Sequence, residues 1–336
     1  MKTKAIILGA VFALWGCAPE DWGPEHLSRG SGNTDDETLA LGKEAYTLYC
    51  SGCHGDAGDG EGVAAKYLNP KPRDFRVGKL KFALVASGEM PRDDDYLTVI
   101  TNGLKGTAMP SFRFIPHEER LAIVKYLRTF YTGKPKPPGG LLSIPKDPWV
   151  KNPDKGVDFG KKMYHGLAAC SSCHPAYATK PEIVDALASF DMKFQGFRAD
   201  MYKSETKDSD WGYPIKPPDF LYDSIKTGND KSTIVKVIAS GIGGTAMPNW
   251  SATLDAKQLW GLAYYVESLA AMRGFPEGRA LRQTLDTQPE FTPPPPPPPP
   301  EPEPTEGAGG GDGAGGGATD DGAGGSGKTD DSKGEQ

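Results

Sequence analysis

The sequence predicts a mainly α-helical protein made of two small helical domains in tandem, followed by a disordered Pro/Gly-rich tail. Three observations carry this. One pentapeptide pattern occurs twice, as Cys50-Ser51-Gly52-Cys53-His54 and as Cys170-Ser171-Ser172-Cys173-His174. The segments around each copy recur in the same order, with apolar residues three and four apart as amphipathic helices require. From Thr292 the chain becomes low-complexity, with eight consecutive prolines, Pro293 to Pro300, and then a Gly/Asp/Ala-rich stretch to Gln336.

At the N-terminus, Lys2 and Lys4 precede an apolar run from Ala5 to Trp15 that is too short to span a bilayer. Residues 1–16 therefore read as an export signal. The run ends in Leu14-Trp15-Gly16-Cys17, which resembles a bacterial lipoprotein box, although Trp15 is bulkier than the small residue usual there. On that reading Cys17 is the lipidation site and the first residue of the mature chain, and residues 17–35 are a tether; plain signal cleavage and an uncleaved anchor are the alternatives. Ala18, where Asp would retain a lipoprotein at the inner membrane by the enterobacterial sorting rule, favours the outer membrane. The expected location is the bacterial cell envelope, facing the periplasm. No other segment approaches the ~18 apolar residues of a transmembrane helix.

The first domain is expected over residues 36–132 and the second over 152–272. A linker over 133–151 carries Pro135, Pro137, Pro138, Gly139, Gly140, Pro145 and Pro148, which leave little regular structure. Gly42-Lys43-Glu44-Ala45-Tyr46 leads into the first Cys/His motif as Gly160-Lys161-Lys162-Met163-Tyr164 leads into the second, each as an amphipathic helix. Lys71-Pro72-Arg73-Asp74-Phe75 answers Lys216-Pro217-Pro218-Asp219-Phe220, and Val99-Ile100-Thr101-Asn102-Gly103 answers Val237-Ile238-Ala239-Ser240-Gly241. Each half closes with a helical pattern, Leu121 to Phe130 and Leu259 to Leu269, suited to packing across the N-terminal helix. Residues 273–291 are a C-terminal extension, and 292–336 are the tail, whose prolines form a stiff polyproline II spacer of ~25 Å and whose Gly-rich remainder cannot bury a core.

On a helical turn, residues i, i+3 and i+4 project from one face. Two thiols so placed can add to the vinyl groups of haem while the imidazole reaches the iron, and C-x-x-C-H is the attachment pattern for c-type haem. The expected cofactors are two covalently bound haem c groups, held by Cys50, Cys53 and His54 and by Cys170, Cys173 and His174. A disulfide, a redox dithiol or half of a zinc site would use the same cysteines. Against these, both C-x-x-C pairs are followed directly by a His and occupy the same place in the repeat.

Haem iron with a proximal His has one axial position left. The repeated segments Gly106-Thr107-Ala108-Met109-Pro110 and Gly244-Thr245-Ala246-Met247-Pro248 offer Met109 and Met247 for it, each in a loop that the following proline keeps non-helical. A loop methionine is ordinarily a core filler. Met90 in the first half and Met192, Met201 or His165 in the second are competitors, and none recurs in the other half. His26 and His117 read as surface residues.

These features together resemble the small Met/His-ligated cytochrome c family in both halves, over about 220 of the 336 residues. The first half is especially similar to modules that carry Lys-Pro-Arg-Asp-Phe and then a Gly-Thr-Ala-Met-Pro-Ser-Phe loop. The resemblance implies electron carriage between a redox-protein donor and acceptor. Tandem modules of this kind occur in haem subunits of respiratory oxidases and in bacterial lipoprotein cytochromes, so a respiratory complex is one expected partner and the membrane, through the lipid, another. The second half departs from the pattern: Gly55, Gly58, Gly60 and Gly62 follow His54 in a loop able to pass close to the haem, whereas Pro175 follows His174. An excess between about Ala176 and Tyr213, which contains Trp211, reads as a surface excursion or as a docking or pocket-forming insert.

Charge narrows the partners. The chain has 38 basic and 44 acidic side chains, a net of −6. Residues 292–336 hold nine acidic and two basic of these, so the body is near neutral and offers no basic field for nucleic acid. The expectation is a carrier and not an enzyme. The rival readings are a di-haem peroxidase or small-molecule oxidoreductase, which needs an open distal position and an acid/base group, and a mainly structural envelope protein, which leaves two haems unexplained.

Overall fold

The computed structural model describes residues 35–292. The expected signal segment, Cys17, His26 and the tail from Pro293 lie outside the described residues. Among the described residues the fold is helical apart from one short hairpin.

The first half is framed by α1 (Asp35–Tyr49) and α4 (His117–Thr129), with the short helix α2 (Ser51–His54) and α3 (Asp93–Asn102) between them. Asp35, Asp36 and Glu37 in the first turn of α1, and Asp93, Asp94 and Asp95 in that of α3, place negative charge against the helix dipoles. Helix α1 buries Gly42, Ala45 and Tyr46 and α4 buries Ala122, Ile123, Val124 and Leu127, the expected three- and four-residue spacings. Where the two cross, a methyl group on Gly42 would overlap the Ala122 carbonyl.

The second half repeats this frame with α5 (Pro153–His165), α7 (Lys231–Ser240) and α8 (Ala256–Ala271). Pro153 opens α5, a position where its missing N–H costs nothing. Asp255 caps α8 by accepting from the Gln258 N–H while the Gln258 side chain accepts from the Asp255 N–H, both at 2.9 Å. At the α5–α8 crossing, Gly160 lies directly on the Gly261 carbonyl. Two hydrophobic cores result, one around Tyr46, Ile100, Phe112 and Ile123 and one around Tyr164, Val235, Leu262 and Tyr265.

The excess of the second half is a built structure. Helix α6 (Lys180–Ala188), capped by Thr179, leads to a small core of Ala176, Ala178, Ile183 and Met201. The two-residue strands β1 (Lys207–Asp208) and β2 (Pro214–Ile215) then form an antiparallel hairpin that carries Trp211 at its turn. The C-terminal extension holds a further helix, α9 (Pro276–Asp286), whose Arg282 makes a largely buried ion pair with Asp219 at 2.6 Å. Linker residues 133–151 lack regular structure but are strapped to both halves. Gly139 N–H donates to the Met90 carbonyl at 2.8 Å and Leu142 N–H to that of Leu84 at 3.0 Å, while the Trp260 indole donates to the Pro145 carbonyl at 2.8 Å.

The halves meet through a reciprocal pair of backbone hydrogen bonds. Lys105 N–H donates to the Lys226 carbonyl at 2.8 Å, and Gly243 N–H donates to the Lys81 carbonyl at 3.1 Å. Lys105 and Gly243 each follow the helix-ending glycine, Gly103 or Gly241, by two residues, and Lys81 and Lys226 each follow the repeated Phe75 or Phe220 by six. Each half thus offers the same two segments to the other, the signature of a pseudo-two-fold contact. Among the described residues no helix is long and apolar enough to cross a membrane.

Alanine at Gly160 improves helix propensity by about 1 kcal/mol, yet its methyl group would overlap the Gly261 carbonyl. Gly160→Ala is expected to lower stability by about 1–3 kcal/mol, as overpacking does, and to shift the denaturant midpoint down. Gly52→Ala, where nothing lies within 4 Å of the added carbon, should not; equal midpoints for the two variants would refute the close-crossing account.

Candidate functional sites

In the first half, Cys50 follows α1 directly and α2 turns back at once, with the His54 N–H donating to the Cys50 carbonyl at 2.9 Å. Cys50, Cys53, His54 and Met109 thereby line one cleft. The walls between are mainly apolar, with Leu80, Ile100, Phe112 and Leu127 among them.

The His54 ring is fixed twice. Its Nδ1 sits 3.0 Å from the Arg73 carbonyl, so Nδ1 carries the proton, and the ring stacks on Phe75 with centroids 4.7 Å apart. Nε2 is left with its lone pair free, as a metal ligand requires. In the second half His174 Nδ1 sits 3.1 Å from the Pro218 carbonyl and the ring stacks on Phe220 at 5.0 Å. The repeated Lys-Pro-x-Asp-Phe segment therefore holds the imidazole in both halves. Burial lowers both imidazole pKa values and keeps the rings neutral, although the bond to the loop carbonyl works in the opposite direction.

The methionine loops also match bond for bond. The Thr107 hydroxyl donates to the Leu104 carbonyl at 2.8 Å and accepts from the Met109 N–H at 3.1 Å; the Thr245 hydroxyl donates to the Ile242 carbonyl at 2.8 Å and accepts from the Met247 N–H at 3.2 Å. Gly103 and Gly241, with φ of 65° and 71°, pass tightly over Pro110 and Pro248. A side chain at either glycine would be strained and would also collide with the proline backbone. Cys170 and Met247 pack against the same core in the second half, as Cys50 and Met109 do in the first.

The donor set of two thiols, a neutral imidazole and a thioether around an apolar cleft fits a haem c in the first half, and the same donor set recurs in the second. Burial pushes the Cys50 and Cys170 thiols up to about 12. A redox dithiol needs a lowered pKa, so these cysteines are poorly suited to thiol–disulfide exchange.

The competing residues are placed elsewhere. His165 has both ring nitrogens engaged, Nδ1 with the Lys161 carbonyl at 2.8 Å and Nε2 with the Tyr177 N–H at 3.0 Å. Met201 belongs to the small core beside α6, and Met192 is exposed. Met90 lies under the linker, its carbonyl bonded to Gly139. His117 is exposed at the start of α4. The glycine loop after His54 departs from expectation: its glycines do not line the cleft, and the loop instead wraps the attachment turn. Gly60 N–H bonds the His54 carbonyl at 2.9 Å and Gly62 N–H the Cys53 carbonyl at 3.2 Å, while Gly58 lies against the Phe130 ring.

Several supporting residues carry no motif. The Tyr46 hydroxyl donates to the Gly55 carbonyl at 2.6 Å and that of Tyr164 to the Pro175 carbonyl at 2.9 Å, each the residue after the His of its Cys/His motif. Both tyrosines stand in register in the repeat, which was the available signal. In the second half alone, the Tyr177 hydroxyl donates to Asp219 at 2.9 Å and accepts from the Phe220 N–H at 2.7 Å, and Arg282 of α9 closes the network on Asp219.

The family described as Cytochrome C oxidase, cbb3-type, subunit III matches residues 37–127 and again 157–266. Among solved structures, a chain of the Kuenenia stuttgartiensis reducing HAO-like protein complex Kustc0457/Kustc0458 is similar at 28% identity. The match covers 68% of this chain and 95% of that one, with a TM-score of 0.53. No curated protein matches.

His165 is held neutral, its pKa pushed down to about 4 by burial. The unfolded chain binds that proton near pH 6.5, so the contribution of His165 to stability is complete above about 6.5 and is lost as pH falls toward 4, on the order of 3 kcal/mol in all. His165→Gln should flatten the fall of denaturant stability between pH 6.5 and 4.5; an unchanged slope would exclude this role.

Proposed function

Since the chain belongs to the cbb3-type cytochrome c oxidase subunit III family, we propose that it is a lipid-tethered di-haem carrier. It would pass single electrons between redox partners of a respiratory chain on the periplasmic side of the envelope. The observation that carries this reading is the double occurrence of one arrangement: an imidazole locked through Nδ1 onto a loop carbonyl and a methionine held by a threonine turn.

A haem bound in each half supplies a one-electron Fe(III)/Fe(II) couple. Cys50 and Cys53, and Cys170 and Cys173, would hold it through thioether bonds, with His54 and His174 and the thioethers of Met109 and Met247 as the iron-binding residues. The loop carbonyls on Nδ1 raise the basicity of each imidazole and hold its plane. The methionine thioethers favour a high potential, and the apolar walls keep water away. An imidazole and a thioether supplied from within the fold would leave no position for peroxide, which favours a carrier over a peroxidase. Cys17 would carry the lipid, with more than one acyl chain for stable attachment.

The intact chain is expected to contain two haems that acidified organic solvent does not extract, and Cys170→Ala with Cys173→Ala is expected to leave one. Met247→Ala should lower the potential of one haem only. A stoichiometry other than two, or a second haem unmoved by Met247→Ala, would overturn the assignment. Cys17→Ser should release the protein from membranes or leave it unprocessed; an unmodified mature Cys17 in the mass spectrum would remove the lipid anchor from the reading.

A further inference from the structure

The junction between the halves gathers three cations, of which Arg73 alone has nearby partners, the Asp74 carboxylate and the Tyr213 hydroxyl. Arg73 and Lys81 of the first half and Lys226 of the second all line the first cleft. Lys81 and Lys226 are equivalent in the repeat, and their carbonyls make the reciprocal bonds that join the halves. Among the described residues none of the three forms an ion pair. Nearby carboxylates are already engaged: Asp74 by Arg76 at 2.8 Å, Asp210 by Lys79 at 2.6 Å and Asp219 by Arg282 at 2.6 Å.

Half-buried cations that repel one another are unfavourable unless an anion joins them. The strain registers on Lys81, whose pKa is pushed down to about 8 by burial first, then by Arg73 and Lys226. A second observation points the same way. Trp211, from the hairpin of the second half, lies against Gly244 and stacks under the Arg73 guanidinium at 3.8 Å, with the Lys81 ammonium 5.1 Å from the same ring. Its indole N–H is shut from solvent with no acceptor. An apolar cleft with a cationic margin fits a ligand that is apolar over most of its surface and carries carboxylates at one edge. Haem, with its two propionates, is such a ligand.

We propose that Arg73, Lys81 and Lys226 form a cross-domain site for the propionates of the first half's haem, with Trp211 as the positioning residue that holds Arg73. The inference rests on the haem-carrier reading. Lys226 reaches this cleft from the other half, so the first haem's site is complete only when the halves are docked. Positive charge beside a haem favours its reduced, less positive state, so the cluster raises the first haem's potential.

The test is a spectroelectrochemical titration of the full holoprotein, with the first haem assigned from the single-haem Cys170→Ala/Cys173→Ala variant. Lys226→Gln and Lys81→Gln are each expected to shift the first haem's potential downward and leave the second unmoved. Lys226→Arg should retain the original value and Trp211→Ala should shift it downward. Lys236→Gln, an exposed lysine on α7, should move neither haem. A Lys226→Gln shift no larger than that of Lys236→Gln, or one shared equally by both haems, would overturn the proposal. Haem content measured on the same samples separates the two readings: an unaltered chain without haem sinks the carrier, whereas two haems with unmoved potentials sink only the cluster.

Discussion

The hydrogen bond from an imidazole Nδ1 to a backbone carbonyl is the constraint on which each half depends. It selects one tautomer, leaves Nε2 with its lone pair free and ties the Cys/His turn to a loop distant in sequence, 19 residues away in the first half and 44 in the second. The stacked Phe75 or Phe220 then sets the tilt of the ring. Because the acceptor belongs to the main chain, its position is only as firm as the loop that carries it. Much of the remaining structure serves to hold that loop.

The two halves hold it differently. In the first, Asp74 is clasped by Arg76 two residues on, a local and solvent-exposed bidentate contact. The second half has a longer path between His174 and Pro218 and uses long-range partners: Tyr177 from the segment after the motif and Arg282 from α9 meet on Asp219. The insert and the C-terminal extension thus compensate for each other. One lengthens the loop, and the other pins its end in a partly buried ion pair, where removal of either member would leave a charge unpaired.

The contact between halves follows from the same segments. Beyond Phe75 and Phe220 the chain runs six residues to Lys81 and Lys226, whose carbonyls receive the amides that follow Gly103 and Gly241. Gly243 lies against the Leu80 carbonyl, which leaves no room for a side chain there. The elements that support the proximal side of one site therefore touch the loop that presents the methionine of the other, and the docking of the halves is coupled to the geometry of both.

Much of this was readable in the chain itself. Periodicity and the repeat located the framing helices, the two Cys/His motifs and the two methionine loops, because each is encoded locally: by helical spacing, by a proline after a methionine, by a glycine where φ must be positive. The repeat also set Met109 and Met247 apart from Met90, Met192, Met201 and His165, which the fold uses elsewhere. Only the tertiary structure decided which carbonyls receive His54 and His174, since a backbone acceptor has no side-chain signature. It alone turned the glycine loop onto the protein, made a residue as suggestive as His165 a buried hydrogen-bond post, and brought Trp211, Arg282 and Lys226 to sites far away in sequence. Such pairings depend on where long loops close, and loop closure is governed by packing across the whole fold, which no local pattern records.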